Sequence, residues 1–291
     1  MQVKLALLAE KQFETMLAYL VRYNPAAEQH VGFFGESETE IRETLAEIAP
    51  PLTESFWLAW EGDELVGVFG ADYDPEIDRA WLYGPLVTAA DWQPVAEALY
   101  AEVQKCISAS IHELDLFFEA RNLNGQAFAA RHGFSLRSNN AVFRLQRADW
   151  KPSAVPAPVC AYQAAFFEQF EHLHQTLFPT TYYTARQIVE KQAEDQRLFL
   201  MVENERVLGY HFCKTETDSG YIDFIGVDAA ARGKGLGADL LNAGLEWMFS
   251  RPQTGEICLT VDAENTAAIR LYEKFGFASG RILQGYRKRV D

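Results

Sequence analysis

Residues 222–237 read Ile222-Asp-Phe-Ile-Gly-Val227-Asp-Ala-Ala-Ala-Arg232-Gly-Lys-Gly-Leu-Gly237. An apolar, β-rich run ends at Val227, and after a short loop the segment that opens at Arg232 takes on helical periodicity. Glycines let successive N–H groups turn toward one point, and a helix N-terminus adds partial positive charge there. Arg232 and Lys234 add two full charges at the same place. A loop of this kind seats a phosphate or a diphosphate.

Three phosphate-binding loops have related patterns. A Walker-type loop needs Ser or Thr after Gly-Lys, but Gly235 follows Gly233-Lys234, and Asp228 holds the place of the earlier glycine. A dinucleotide fingerprint fits Gly233-x-Gly235-x-x-Ala238, with Asp262 downstream. Its first glycine should follow the strand directly, whereas residues 228–232 intervene. Only one further strand–helix–strand remains before Asp291, too little for a doubly wound sheet. The third pattern, R-x-x-G-x-G, grips the pyrophosphate of coenzyme A, and Arg232, Gly235 and Gly237 match it.

The residues that follow favour the third pattern. Ile257-Cys-Leu-Thr-Val261 reads as a buried strand, and Asn265 to Phe277 as a helix stopped by Gly276. That helix carries N-x-x-A-x-x-L-Y-x-x-x-G-F at Asn265, Ala268, Leu271, Tyr272, Gly276 and Phe277. With both elements in order, residues 160–291 resemble the GNAT N-acetyltransferase superfamily. The resemblance implies acetyl-CoA as co-substrate, gripped by Arg232, Gly233, Lys234, Gly235, Leu236, Gly237 and Ala238. It also implies pantetheine pairing along Ile225, Gly226 and Val227.

At 291 residues the chain has room for two domains of ordinary size. A hydrophobic fraction of 48% supplies ample core and argues against disorder. No apolar run reaches the roughly 18 residues of a membrane span, and the polar-interrupted N-terminus does not read as a signal peptide. Cys106, Cys160, Cys213 and Cys258 lack CxxC spacing, which fits unpaired thiols in a reducing cytoplasm. Residues 1–150 hold 11 basic against 23 acidic side chains, and residues 151–291 hold 15 against 18. A nucleic-acid surface is therefore disfavoured, and no membrane partner is expected.

The chain repeats itself. Trp57 to Gly67 lies over Phe199 to Gly209 as strand, polar turn, strand, and Asn122 to Phe134 lies over Asn265 to Phe277. Lys151-Pro-Ser-Ala-Val-Pro-Ala-Pro158 reads as a linker. The expected fold is α/β (α+β): two tandem GNAT-like domains, each a mixed, mostly antiparallel twisted sheet flanked by helices. A degenerate first domain spans 1–150, the linker 151–159, and the catalytic domain 160–291. The loop of the first copy, Val87 to Glu97, has no glycines and carries Asp91, Pro94 and Glu97, and the helix that follows later has Ala129 at the tyrosine position. It reads as scaffold or as a wall of the acceptor pocket.

Acyl transfer to an amine must grip the cofactor, deprotonate the amine, stabilise an oxyanion and protonate a thiolate. The Val227 N–H is the simplest oxyanion donor. The resemblance places Tyr272 as acid to a leaving thiolate of pKa near 8.5, and Asn265 as pantetheine ligand, helix cap or both. Asp223, four residues before Val227, is expected on the side-chain face of Ile225 and Val227. It is either a base acting through water or the partner of a basic side chain. Glu216 is a backup base, while Tyr182 and Tyr183 either line the acceptor site or pack in the core. His172 and His174 point to different helix faces, and His211 with Cys213 does not complete a ligand set, so no metal is expected.

The expected activity is cytoplasmic, acetyl-CoA-dependent acetylation of a small-molecule or peptide amine by direct attack. A mycothiol synthase-like tandem acetyltransferase and a catalytically silent coenzyme A-binding module are the alternatives. The oligomeric state is open, and a monomer with an internal pseudo-dimer is compatible with the repeat.

Overall fold

Both hairpins read from the sequence are strand pairs, because near-continuous apolar runs flank polar turns at Gly62-Asp63 and Asn204-Glu205. The computed structural model describes residues 3–152, 158–179 and 181–290. Residues 153–157 of the expected linker lie outside the described residues. The chain forms two compact units, Met1–Asn140 with Arg281–Asp291, and Ala141–Gly280.

The first unit contains strands β1 (Val3–Leu7), β2 (Phe56–Glu61), β3 (Glu64–Asp74), β4 (Arg79–Val87) and β5 (Glu113–Glu119). Its helices are α1 (Phe13–Tyr23), α2 (Glu38–Glu47), α3 (Leu52–Ser55), α4 (Trp92–Val103) and α5 (Leu123–Arg131). A further strand, β6 (Ser135–Gln146), runs out of this unit past Asn140. Ser37 caps α2 in a capping box with Glu40, and Asn122 caps α5. Neighbours from β1 to β4 are antiparallel, and β4 pairs with β5 in parallel over Arg79–Trp81 only. Phe56, Phe69, Phe118, Leu20 and Met16 are fully buried between sheet and helices. Burying each such side chain is worth about 1.5–3 kcal/mol.

The second unit repeats the plan with β7 (Val159–Ala161), β8 (Gln196–Glu203), β9 (Arg206–Thr215), β10 (Ser219–Val227) and β11 (Glu256–Asp262). Its helices are α6 (Phe167–Leu177), α7 (Ala185–Glu190), α8 (Leu236–Phe249) and α9 (Thr266–Lys274). The strands from β7 to β10 pair antiparallel and β10–β11 parallel. One core packs Ile222, Leu259 and Val261 with Leu241, Leu245 and Met248 of α8. The other packs Phe212 and Phe224 with Phe170, Leu173 and Ile188 of α6 and α7.

The last strand of each copy is exchanged. The chain's final strand, β12 (Ala278–Arg289), lies antiparallel to β5 and completes the first unit's sheet, with Leu283 opposite Glu119 and Arg289 opposite Glu113. Ala141–Gln146 of β6 lies beside β11 and completes the second. The units are therefore not the contiguous halves 1–150 and 160–291 expected from the sequence. Ion pairs fix β12 in place. Arg287 forks onto Asp115 at 2.7 and 2.8 Å, and Arg281 meets Glu119 at 2.6 Å and Glu36 at 3.0 Å. No helix among the described residues is long and apolar enough to cross a membrane.

Candidate active site

The site is built where β10 leaves β11. Their parallel pairing covers Ser219–Ile222 against Glu256–Leu259, so the two strands part beyond Ile222. On its other edge β10 stays paired with β9 to the end, Val227 lying opposite Gly209. The Asp228 N–H donates to the Leu208 carbonyl at 2.8 Å. Antiparallel pairing alternates, so Gly226 shares the bonding side of Asp228, while the N–H and C=O groups of Ile225 and Val227 turn toward the opening. That leaves an edge able to pair with an extended, amide-bearing chain.

A turn at Ala229–Ala231 follows, capped by the Asp228 carboxylate on the Ala230 N–H at 2.9 Å. Arg232 swings back, its Nε donating to the Val227 carbonyl at 3.1 Å. Gly233 and Gly235 adopt φ of 80° and 86°, a region that side chains disfavour, so the glycines are needed to aim the loop. Among the described residues the N–H groups of Gly233 through Gly237 donate to no protein acceptor. Ala238 differs from expectation, because its N–H is spent on the Gly235 carbonyl at 2.9 Å. Lys234 is exposed at the rim, and buried Leu236 anchors the start of α8. Free donors, a helix N-terminus and two cations fit an incoming diphosphate.

Asn265 caps α9 through its Oδ1, which accepts the Ala268 N–H at 3.1 Å, and its amide NH2 points to no described partner. Both roles expected of it are thus compatible. Tyr272, one turn from the end of α9, is buried between Phe143 and Phe277. Its hydroxyl makes no hydrogen bond among the described residues, and burial pushes its pKa well up. The neighbouring phenol of Tyr221 adds to that shift. Tyr221 itself donates to Thr260 Oγ1 at 3.0 Å beside the point where the strands part, and burial pushes it up to about 12. The sequence analysis missed Tyr221 and Thr260; the signal was their place just before and after the expected cofactor-binding edge.

Asp223 corrects an expectation. A β-bulge between Ile222 and Phe224 inserts Asp223 as an extra residue, so the alternation counted back from Val227 fails. Ile225 and Val227 pack with Leu236 and Leu240 of α8, whereas Asp223 accepts the Tyr182 hydroxyl at 2.9 Å on the side of Phe224. Tyr182 packs at a tilt against Phe224 at 4.9 Å and meets Tyr183 edge-on at 4.8 Å. Desolvation and the Asp223 charge drive the Tyr182 pKa well up, which keeps the phenol protonated as a donor. Glu216 sits at the opposite end of β10, its oxygens held by Lys214 Nζ and Ser219 Oγ, each at 2.9 Å. The backup role expected of it is not supported by that position.

His172 is exposed, whereas His174 is buried and bonded at both ring nitrogens, to Tyr210 Oη at 2.6 Å and the Tyr183 carbonyl at 2.8 Å. His211 donates from Nδ1 to the Leu240 carbonyl at 2.9 Å. In the first unit the corresponding apparatus differs. Trp92 at the start of α4 packs on Phe128 at 6.3 Å, and the Asn122 amide is consumed by the His30 carbonyl at 3.3 Å.

Comparison with known proteins agrees with this geometry. Residues 166–277 match the family described as Acetyltransferase (GNAT) family. The chain is 36% identical over 115 residues to a mycothiol acetyltransferase of Nocardia farcinica, covering 36% of this chain and 38% of that relative. A mycothiol acetyltransferase of Kocuria rhizophila is 28% identical over 261 residues, 79% of this chain and 82% of that relative. The chain thus spans less than two thirds of the Nocardia protein and most of the Kocuria protein. Among solved structures, a GCN5-related N-acetyltransferase from Sphaerobacter thermophilus superposes with a TM-score of 0.74 at 16% identity, covering 99% of this chain and 95% of that one. A tandem GNAT protein from the clavulanic acid biosynthesis pathway superposes at 0.66 and 19% identity, covering 99% and 98%. Residues 166–277 are thus similar to the GNAT acetyltransferase family, and the chain has the fold of tandem GNAT proteins.

Proposed function

We propose that the second unit is an acetyl-CoA-dependent N-acetyltransferase that acetylates a primary amine by direct attack on the thioester. The observation that carries this reading is the run of unspent N–H groups from Gly233 to Gly237 beside the edge offered by Ile225 and the Val227 N–H, where β10 has left β11. In this reading Arg232, Lys234 and the loop donors hold the diphosphate, while the Ile225–Val227 edge and the Asn265 amide hold the pantetheine arm. Acetyl-CoA supplies the activated acyl group.

The protein's own groups then divide the work. The Val227 N–H polarises the carbonyl as charge develops on its oxygen. Asp223, oriented by Tyr182, takes the proton of the acceptor amine directly or through a water. Tyr272 acts on the sulfur. A phenol's ordinary pKa near 10 already lies above that of a thiol and burial raises it further, so full proton transfer to the thiolate is uphill. Tyr272 is therefore assigned as a hydrogen-bond donor that stabilises the leaving sulfur rather than as a strong acid. The first unit, with Ala129 in place of the tyrosine and Asp91, Pro94 and Glu97 in its loop, serves as scaffold.

An acceptor of the kind that mycothiol acetyltransferases take is the most specific version of this reading, favoured by the Kocuria relative that aligns along most of the chain. A panel of amines, including such acceptors, incubated with acetyl-CoA while free thiol release is followed, tests both levels. Thiol release that requires an amine supports transfer. Binding of coenzyme A without turnover on any amine would leave the silent-module reading standing instead.

A further inference from the structure

Three hydrogen bonds in the second unit act in series. Tyr210 of β9 meets His174 Nδ1 at 2.6 Å, His174 Nε2 meets the Tyr183 carbonyl at 2.8 Å, and Tyr182 meets Asp223 Oδ1 at 2.9 Å. A carbonyl only accepts, so Nε2 carries the proton, and a neutral ring leaves Nδ1 to accept from the Tyr210 hydroxyl. Desolvation holds His174 below its usual range and favours that neutral form. Rings of Phe170, Phe178 and Phe224 enclose the imidazole at 5.9, 5.9 and 5.2 Å. An apolar side chain would fill this space at less desolvation cost. What the imidazole adds is a fixed direction, a strut from β9 to the backbone that carries Tyr182.

We propose that His174, oriented by Tyr210, is a positioning residue that seats the Tyr182 hydroxyl on Asp223 and so fixes the carboxylate that receives the acceptor amine. The proposal rests on the role given to Asp223 above. Packing of Tyr182 and Tyr183 around Phe224 is non-directional. The bond to the Tyr183 carbonyl adds a directed contact one residue from Tyr182. A misplacement of about 1 Å in a reacting group can cost on the order of 10²-fold in rate.

The test is steady-state kinetics of Tyr210→Phe, which keeps the ring and deletes only the hydroxyl, alone and combined with Tyr182→Phe. We expect kcat/KM for the amine to fall about tenfold, roughly 1.4 kcal/mol, with acetyl-CoA affinity unchanged by calorimetry. In the Tyr182→Phe background the same change should cost less than about twofold, because the two act through one contact. His174→Gln, which retains a donor for the Tyr183 carbonyl, should keep more activity than His174→Leu. Effects that simply multiply, or a lowered melting temperature with unchanged kcat/KM, would reduce His174 to a packing residue. Amide exchange gives an arm independent of any acceptor. Tyr210→Phe should lower protection at residues 181–184 but not in α8, and unchanged protection there overturns the proposal. Absence of turnover on every amine, with that protection loss still seen, instead counts against the acetyltransferase reading.

Discussion

Tyr182 hands its hydroxyl proton toward Asp223 across 2.9 Å, which binds the connection after α6 to the bulge in β10. A phenol held protonated by burial and by the adjacent charge is a one-way donor, so it orients the carboxylate without neutralising it.

Asp223→Asn keeps the size of the side chain and removes the proton acceptor. Turnover should fall by about 10²–10⁴-fold, and its remaining pH dependence should move toward the intrinsic pKa of the amine. Rate measurements from pH 6 to 10 check this. A normal pH profile in a less stable protein would mean that Asp223 only packs.

Tyr272→Phe removes a hydroxyl that bonds to nothing in the described protein, so folding stability should hardly change. If that hydroxyl bonds the leaving sulfur, kcat should fall about tenfold, the value of one hydrogen bond near 1.4 kcal/mol. Affinity for coenzyme A should stay within about twofold, since ring packing is retained. Unchanged kcat with a good acceptor would return Tyr272 to the core.

His211 makes stability depend on pH in a defined direction. Burial lowers its folded pKa to about 4, with a hydrogen bond to Leu240 opposing the shift, while the unfolded value is near 6.5. The unfolded chain therefore binds the proton more readily, and the stabilisation from neutral His211 is full above about pH 6.5. It is lost as pH falls from there toward 4, by up to about 3 kcal/mol. His30 and His174, also lowered by burial, act in the same direction. Urea unfolding across pH 4–8 should show His211→Asn with a shallower acid slope than the parent. Equal slopes would contradict the assignment.

Arg281 ties the exchanged strand to buried Glu119 and to Glu36, and its Nη2 also donates to the Pro25 carbonyl at 2.7 Å. Arg281→Met leaves the Glu119 carboxylate with Arg121, at 2.8 Å, as its one remaining cation among the described residues. Breaking a buried pair costs about 3–5 kcal/mol, and the lower end is expected because Arg121 remains. Denaturant midpoints measure it, and a loss below about 1 kcal/mol would class the contact with ordinary surface pairs.

The elements read most securely from the sequence are those where local chemistry dictates geometry. Positive φ at Gly233 and Gly235, the Asn265 cap and the stop at Gly276 follow from what those residues do best. The face of Asp223 was not legible, because one inserted residue inverts every count along the strand and leaves no mark in composition. The clamp at His174 was hidden for another reason, since its partner Tyr210 lies 36 positions away. The strand exchange could not be read at all. Ser135–Gln146 and Ala278–Arg289 occupy equivalent places in the repeat and have the same length, so either can close either sheet.

Calorimetric titration with acetyl-CoA tests the central claim most directly, because the loop geometry predicts both where it binds and how often. The parent should bind one molecule per chain. Gly235→Val, which forces a branched side chain to φ of 86°, should abolish that binding while leaving the melting temperature within a few degrees. Two molecules per chain, or undiminished binding by Gly235→Val, would contradict the assignment of the cofactor to the second unit's loop.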